Sequence, residues 1–230
     1  PPEPAGDREV QLVQTIPERI YDARPRGQFR ILETYLSALA SAQRLIYLES
    51  QFLWSPELVD VLDEKLRNPP SDEFRLVVVL PSHPQSGNDE SRGQVGQLAE
   101  ADRDDRFLAC ALYAHDGTSV EPVYVHAKIG IVDDRWLTIG SANLNEHSLF
   151  NDTEVNVVVR DEALVRGARL RLWEEHLEQD AAGDPCRVVD ELWRPLAEER
   201  SPERKLRLLD GVSRRSRALW GPINGLVVDG

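Results

Sequence analysis

A histidine, a lysine and an aspartate stand at fixed spacing near the middle of the chain, and a short polar run follows them. His126 and Lys128 are two residues apart, Asp133 comes five residues after the lysine, and Gly140-Ser141-Ala142-Asn143 follows. A histidine with a pKa near neutrality can act as nucleophile or acid, while a lysine, a hydroxyl and an amide can donate to phosphoryl oxygens. Together these residue types could cleave a phosphodiester without a metal.

The sequence around the first two residues predicts how they are positioned. Residues 123–125 and 129–132 are mostly β-branched and apolar, which is typical of a strand. Residues two apart on a strand face the same side, so His126 and Lys128 are expected to project into one site.

The following residues predict a turn, a second strand and a bend. Asp133-Asp134 is typical of a turn, residues 136–139 of a strand, and Gly140-Ser141 of a tight bend beside the first strand. That bend would aim Ser141 and Asn143 back at the histidine. Asp133, in this strand-to-strand turn, could serve only to cap backbone amides, so we assign it no chemical step.

This pattern resembles the HKD signature of the phospholipase D superfamily, HxKxxxxD with a trailing GSxN, and every position of the signature is filled. The resemblance implies that Glu154, at the start of the next apolar run, accepts a hydrogen bond from the histidine and fixes its tautomer. It implies a catalytic set of His126, Lys128, Asp133 and Glu154, with Ser141 and Asn143 binding substrate.

A second stretch, RLIYLESQFLWSP at residues 44–56, resembles the IYIENQF segment that begins the second catalytic half of many two-motif phospholipases D. Glu49 and Gln51 match that segment, whereas Ser50 replaces its usual asparagine. Gln51 would lie near the carboxyl end of a strand, where open α/β sheets place their ligands. We interpret Gln51 as lining the site; capping of the strand and of the next helix is the alternative.

Helical and strand patterns alternate along the chain, which indicates an α/β layered fold. The resemblance implies an α/β/α sandwich with a central mixed β-sheet, as in phospholipase D. Ser55-Pro56 is typical of a helix start, residues 74–80 of a central strand, and residues 162–178 of a closing amphipathic helix. We predict a catalytic half-domain with one HKD motif at residues 1–180 and a C-terminal helical appendage at residues 181–230.

Charge and composition narrow the classes of function. With 27 Lys and Arg against 40 Asp and Glu, the net charge is −13, which counts against a duplex-DNA nuclease and leaves nucleic acid disfavoured as a partner. The other histidines lack a lysine two residues on and show no metal-ligand spacing such as HExxH, so neither metal nor cofactor is predicted.

Several features bear on location. Cys110 and Cys186 form no CxxC, which fits a reducing compartment or incidental cysteines of the core. The sequence shows neither a signal peptide nor a long apolar run. We therefore expect a location that is cytoplasmic or peripheral to a membrane. The basic cluster at residues 214–217 could bind anionic headgroups, or it could be a solvated arm that packs against an acidic partner.

The chain opens on Pro1 and contains no methionine, so either a leading methionine was removed or the chain is a piece of a longer protein. The resemblance to a second catalytic half favours a carboxyl-terminal piece, which is what we expect. The resemblance implies two histidines at one phosphate, one as nucleophile and one as acid and base, yet the chain holds a single HKD motif. A second HKD-bearing chain is therefore expected, either an N-terminal half or a second copy. By analogy His126 is the proton donor, and in a symmetric homodimer it would fill both roles.

These observations favour a phospholipase D-like phosphodiesterase that hydrolyses or transfers a phospholipid headgroup through a phosphohistidine. A nuclease or other phosphodiesterase of the same superfamily is the enzymatic alternative. An inactive, partner-binding half-module is the alternative from a different class.

Overall fold

The computed structural model describes residues 6–83, 88–201 and 205–211. The strands are β1 (Val10–Ile16), β2 (Gln28–Phe29), β3 (Leu45–Ser50), β4 (Arg75–Val79), β5 (Phe107–His115), β6 (Val120–Pro122), β7 (Lys128–Val132), β8 (Trp136–Gly140), β9 (Glu154–Val159) and β10 (Leu206–Leu208). The helices are α1 (Arg30–Ser41), α2 (Pro56–Arg67), α3 (Asn88–Ala101), α4 (Glu162–Leu177), α5 (Pro185–Val188) and α6 (Arg194–Glu198), with π-helical turns at His147–Asn151 and Val189–Trp193.

All of these strands join one mixed sheet. The strand order is β10-β5-β4-β3-β7-β8-β9-β1-β2, with β6 paired to β5. Strands β3, β4 and β5 run parallel, whereas β7, β8, β9 and β1 pair antiparallel with their neighbours. The parallel half is apolar on both faces, as is usual where helices cover both faces of a sheet.

Helices cover the two faces of the sheet. Ile46 and Leu48 on β3 belong to a core that includes residues of α1, α2 and α3, whereas Leu45 and Tyr47 belong to a second core with α4 and the helical run at residues 185–198. Side chains alternate between faces along a strand, so one strand supplies both cores. The predicted α/β/α sandwich with a central mixed sheet is confirmed.

Local signals in the sequence explain where two helices begin. Ser55 precedes Pro56 at the start of α2, although its hydroxyl donates to Glu57 at 2.7 Å rather than accepting from the helix backbone. Asp161 caps α4 by accepting from the backbone N–H of Leu164 at 2.9 Å. Helix α4 ends at Leu177, where Glu178 takes a left-handed conformation with φ of 50°.

The residues beyond 180 were predicted as a helical appendage. Helix α5 is capped by Asp184, which accepts from the N–H groups of Cys186 and Arg187. Trp193 is fully buried against Tyr47, and β10 pairs antiparallel with β5. The described part of this segment therefore packs into the same sheet and core. The basic cluster at residues 214–217 lies outside the described residues, as do residues 226–228, whose apolar side chains favour an edge strand.

Among the residues that the structure describes, no helix is both long enough and apolar enough to cross a membrane.

Candidate active site

The sheet topology brings most of the predicted site residues to one edge. Strand β7 runs antiparallel to β3 and β8, and β9 runs antiparallel to β8. The carboxyl ends of β3 and β8 therefore lie beside the amino ends of β7 and β9. Four predicted residues stand at these ends: Gln51 after β3, His126 before β7, Ser141 after β8 and Glu154 at the start of β9.

Lys128 is the first residue of β7 and lies opposite Ser50 of β3. It is only 8% exposed, and its Nζ donates to the carbonyl of His126 at 2.9 Å. Burial lowers the pKa of Lys128, and the nearby Glu154 carboxylate offsets part of that decrease. A partly desolvated cation at this edge can hold an anionic oxygen strongly.

His126 is exposed and lies outside any strand, because β6 ends at Pro122 and β7 begins only at Lys128. The predicted strand at residues 123–125 was therefore wrong. The ring of His126 stacks on Tyr124, with centroids 6.4 Å apart and planes 27° apart. Tyr124 Oη accepts from Gln51 Nε2 at 2.7 Å, and Gln51 is 8% exposed. Gln51 is thus linked to the histidine through a tyrosine that the sequence did not single out.

The bend after β8 depends on a close approach of β9. A Cβ at Gly140 would lie 2.2 Å from Asn156 Oδ1 and 2.4 Å from the carbonyl oxygen of Val155. Asn156 Oδ1 accepts from the N–H of Ala142 at 3.2 Å, and its Nδ2 donates to Thr138 Oγ1 at 3.2 Å. Asn156 therefore fixes the bend to the sheet, a role that sequence reasoning missed.

Ser141 and Glu154 contact each other directly. The Ser141 hydroxyl donates to Glu154 Oε2 and accepts from the N–H of Val155 at 3.1 Å. The resemblance implies a bond from His126 to this glutamate, but no hydrogen bond joins the two side chains among the described residues. The Glu154 carboxylate instead accepts from Ser141 and interacts electrostatically with the ammonium group of Lys128.

Asn143 is half-buried, and within the described part of the chain its Oδ1 is buried without a hydrogen-bond partner. An unpaired buried polar atom costs free energy, and such atoms are few in folded proteins. The unpaired Oδ1 is an acceptor and needs a donor such as a substrate hydroxyl, whereas the Nδ2 of the same amide is the group that can donate to a phosphoryl oxygen.

Asp133 lies at the other end of β7, roughly 16 Å along the strand from Lys128 at about 3.3 Å per residue. Its carboxylate accepts from the backbone N–H groups of Gln43, Arg44 and Leu45, each at 2.8 Å. Asp133 and Asp134 both have positive φ angles, of 52° and 55°, in the turn between β7 and β8. These contacts match the backbone-capping interpretation.

The loop after β3 closes one side of the edge. Leu53 pairs with Leu144, and the N–H groups of Trp54 and Ser55 donate to the carbonyl of Leu144 at 2.9 and 3.1 Å. The Trp54 ring lies 5.6 Å from that of His147. The loop after β3 and the segment that follows Asn143 are therefore held together.

The site consists of donors and one carboxylate rather than a cluster of metal ligands. Among the described residues, no group of three or more His, Cys, Asp or Glu side chains could hold a metal ion. The ammonium of Lys128, the amide of Asn143 and the hydroxyl of Ser141 are the kinds of donor that stabilise anionic oxygens.

Comparisons with known proteins identify the family of the chain. The family model described as "Cardiolipin synthase, PLD-like domain" matches residues 35–174, more than half of the chain. The chain therefore belongs to the phospholipase D-like family. It is 29% identical to phospholipase D A of Dictyostelium discoideum over 77% of the chain and 18% of that protein. It is 30% identical to phospholipase D zeta 1 of Arabidopsis thaliana over 71% of the chain and 21% of that protein.

The fold is also similar to those of two solved structures. One is Nuc from Salmonella typhimurium, described as a phospholipase D family member, with a TM-score of 0.51 and 19% identity over 75% of this chain and 96% of that one. The other is NucT from Helicobacter pylori, with a TM-score of 0.52 and 16% identity over 74% and 97%. The chain thus spans about a fifth of the length of the curated relatives above, but nearly the whole of either solved chain.

Proposed function

We propose that the chain is one half of a phosphodiesterase that hydrolyses or transfers the headgroup of a phospholipid. The observation that carries this proposal is the convergence of His126, Lys128, Ser141 and Glu154 at one edge of the sheet. The phospholipid substrate is supported by the similarity to proteins named phospholipase D and by the net charge of −13, which disfavours a polyanion.

The proposed reaction has two steps. A histidine from a second HKD motif attacks phosphorus and forms a phosphohistidine, while His126 gives a proton to the leaving headgroup alcohol. His126 then takes a proton from water, or from an acceptor alcohol, whose oxygen attacks phosphorus. The P–N bond of the phosphohistidine breaks, which frees the nucleophilic histidine and releases the phosphatidyl product. Lys128 and Asn143 stabilise the negative charge that develops on the phosphoryl oxygens.

An apolar row beside the site supports the proposed second chain. Leu12, Val157, Ile139 and Ile129 lie opposite one another across β1, β9, β8 and β7. Leu12 is 68% exposed and Ile139 is 49% exposed. Ile129 follows Lys128 and Ile139 precedes Gly140, so the row comes close to the site at this end of the sheet, although its side chains lie on the face opposite that of Lys128. Ile129 and Val157 are partly buried against the second core, so the exposed apolar surface consists of Leu12 and Ile139. Exposed apolar side chains near a site often mark an interface.

The test is turnover by the assembled enzyme with the variant His126→Ala. Loss of the proton-transfer group should abolish turnover, and because the side chain is exposed the fold should be retained. His115→Ala, at another exposed histidine, is the matched control and should keep wild-type turnover. Near wild-type turnover by folded His126→Ala would disprove the assignment.

The choice of substrate separates the remaining alternatives. Phosphatidylcholine vesicles, single-stranded DNA and a chromogenic phosphodiester should be compared in the presence of EDTA. Turnover of the lipid is expected to be greatest and to survive EDTA. Preferential DNA cleavage would indicate the nuclease alternative, and binding of a partner without turnover of any substrate would indicate the half-module.

A further inference from the structure

A buried acid–base pair lies beneath the catalytic edge and has no place in the proposed reaction. Glu49, the residue before Ser50 in β3, has its Oε2 3.2 Å from Nε2 of His176 in α4. The two side chains are only 6% and 9% exposed. The same carboxylate oxygen accepts from Tyr47 Oη at 3.0 Å.

Aromatic rings surround this pair. The ring of Trp193 meets that of His176 edge-on with centroids 6.1 Å apart, and Trp173 packs against Tyr47 at 5.7 Å. Burial, and then the negative charge of Glu49, raise the pKa of Tyr47. A carboxylate in such surroundings is stable only when it is paired and hydrogen-bonded, so Glu49 depends on His176 and Tyr47.

The pair lies on the opposite face of the sheet from the site. Lys128 is paired with Ser50, so the neighbouring Glu49 points to the other face. Glu49 and His176 therefore cannot contact a phosphate held by Lys128 from that side. Their influence on the reaction must pass through the residues packed around them.

Two routes connect the pair to His126. Val125, which is 3% exposed, and Ala127 flank the catalytic histidine and pack into the same core as Tyr47 and Trp173. Gln51, two residues beyond Glu49, donates to Tyr124, on which the ring of His126 stacks. The carboxyl end of β3 thus supports both the backbone and the ring of His126.

We infer that Glu49 and His176 form a positioning pair, which anchors the carboxyl end of β3 to α4 so that residues 123–127 present His126 at the catalytic edge. The inference rests on the proposed function of His126. Because the pair acts through other residues, its loss should lower kcat and leave substrate binding, and hence KM, nearly unchanged.

The first experiment uses the whole chain and needs no activity. The imidazole NMR signals of ring-labelled histidines are recorded for wild type and for the double variant Glu49→Leu with His176→Leu. Replacing both members leaves no unpaired buried charge, so the fold should persist. The His126 signals are expected to shift, whereas the control His115→Leu, at an exposed histidine, should leave them in place.

The second experiment measures kinetics in the assembled enzyme. The double variant should lower kcat by roughly tenfold to a hundredfold, the range expected from small misplacement of a reacting group, with KM within about twofold. His176→Gln keeps a donor that can reach Glu49 and should restore most of kcat. A folded double variant with wild-type kcat and unshifted His126 signals would overturn the inference. Inactivity of the wild-type assembly would refute the proposed function alone, because the NMR comparison would still decide the positioning role.

Discussion

Lys128 has a proposed role in catalysis, and its burial carries a cost to the stability of the fold. Burial lowers its pKa, so the folded chain binds protons less readily at this site than the unfolded chain does. The contribution of Lys128 to the free energy of unfolding is consequently smallest at low pH. It rises with pH between the lowered pKa of the folded chain and the usual value of 10.5. A residue kept charged against this penalty is expected to act in function.

Lys128→Met and Asn143→Ala should each lower turnover by on the order of 10²-fold, the usual effect of removing one donor to developing charge. Lys128→Met should also raise the melting temperature at neutral pH, because it removes a buried charge. Lys65→Met is a matched control, since burial lowers the pKa of Lys65 too while its Nζ donates to the carbonyl of Ala42. Turnover at the wild-type rate in Lys128→Met, measured with the lipid substrate, would contradict this role.

At the residue scale, the sequence identified the side chains that have characteristic spacing. The HKD residues and Gln51 were predicted in this way, and their roles stay predictions, whereas the superfamily assignment is confirmed. Tyr124 and Asn156 were missed because their roles depend on partners 73 and 18 residues away. The hydrogen bond from Ser141 to Glu154 was also missed, because the bend at Gly140 brings the two side chains together and local sequence does not show that contact.

At the scale of elements, periodicity predicted the main helices and strands but not every strand boundary. Residues 123–125 have the composition of a strand, yet β3 ends at Ser50, directly opposite Lys128. Residues before Lys128 therefore have no neighbouring strand on that side with which to pair. Strand length in a sheet is set by the partner strand, which local composition cannot reveal.

The bend at Gly140 gives a prediction for one element. Gly140→Ala should displace the Ser141–Asn143 segment, because the new Cβ would lie 2.4 Å from the carbonyl oxygen of Val155 in β9. We expect a loss of stability of about 1–3 kcal/mol, typical of overpacking, together with reduced turnover. Gly167→Ala in α4 is the control, with nothing within 4 Å of the added Cβ, and should be neutral or stabilising. Chemical denaturation of both variants and of wild type measures the loss of stability. An unfolding midpoint for Gly140→Ala equal to that of wild type would show that the close approach of β9 does not require glycine at this position.

The turn between β7 and β8 gives a second prediction. Asp133→Ala removes an acceptor from three backbone N–H groups and should destabilise the fold by about 1–3 kcal/mol. At temperatures where the variant remains folded, its turnover should stay within a few fold of wild type. A hundredfold loss in a folded Asp133→Ala enzyme, compared with the stability change in the same preparation, would restore a chemical role for this aspartate.

At the scale of the whole molecule, long-range packing was least predictable. The described residues between Pro185 and Leu208 carry a weak helical pattern, but Trp193 and β10 complete the core and sheet built mainly by earlier residues. Such contacts join segments more than 80 residues apart, for example Leu208 with Cys110. The periodicity of apolar residues reflects the local conformation of one segment, so it cannot predict which distant segments contact each other.

The last prediction concerns assembly. A reaction that needs two histidines at one phosphate cannot be completed by a chain with one HKD motif, so the isolated monomer should be inactive. Association with a second HKD-bearing chain, or with a second copy, should create activity and cover the apolar row of Leu12, Val157, Ile139 and Ile129. Light scattering under assay conditions can relate activity to the mass of the active species.

Charged substitutions in that row test the surface directly. Leu12→Arg with Ile139→Arg should weaken association by at least tenfold and reduce activity in parallel, since each arginine would be desolvated in the interface. Leu208→Arg is the matched control, because this leucine is 44% exposed but lies on β10 near the opposite end of the sheet. If the double variant assembles normally, the interface lies elsewhere. A fully active monomer would contradict the requirement for a second motif itself.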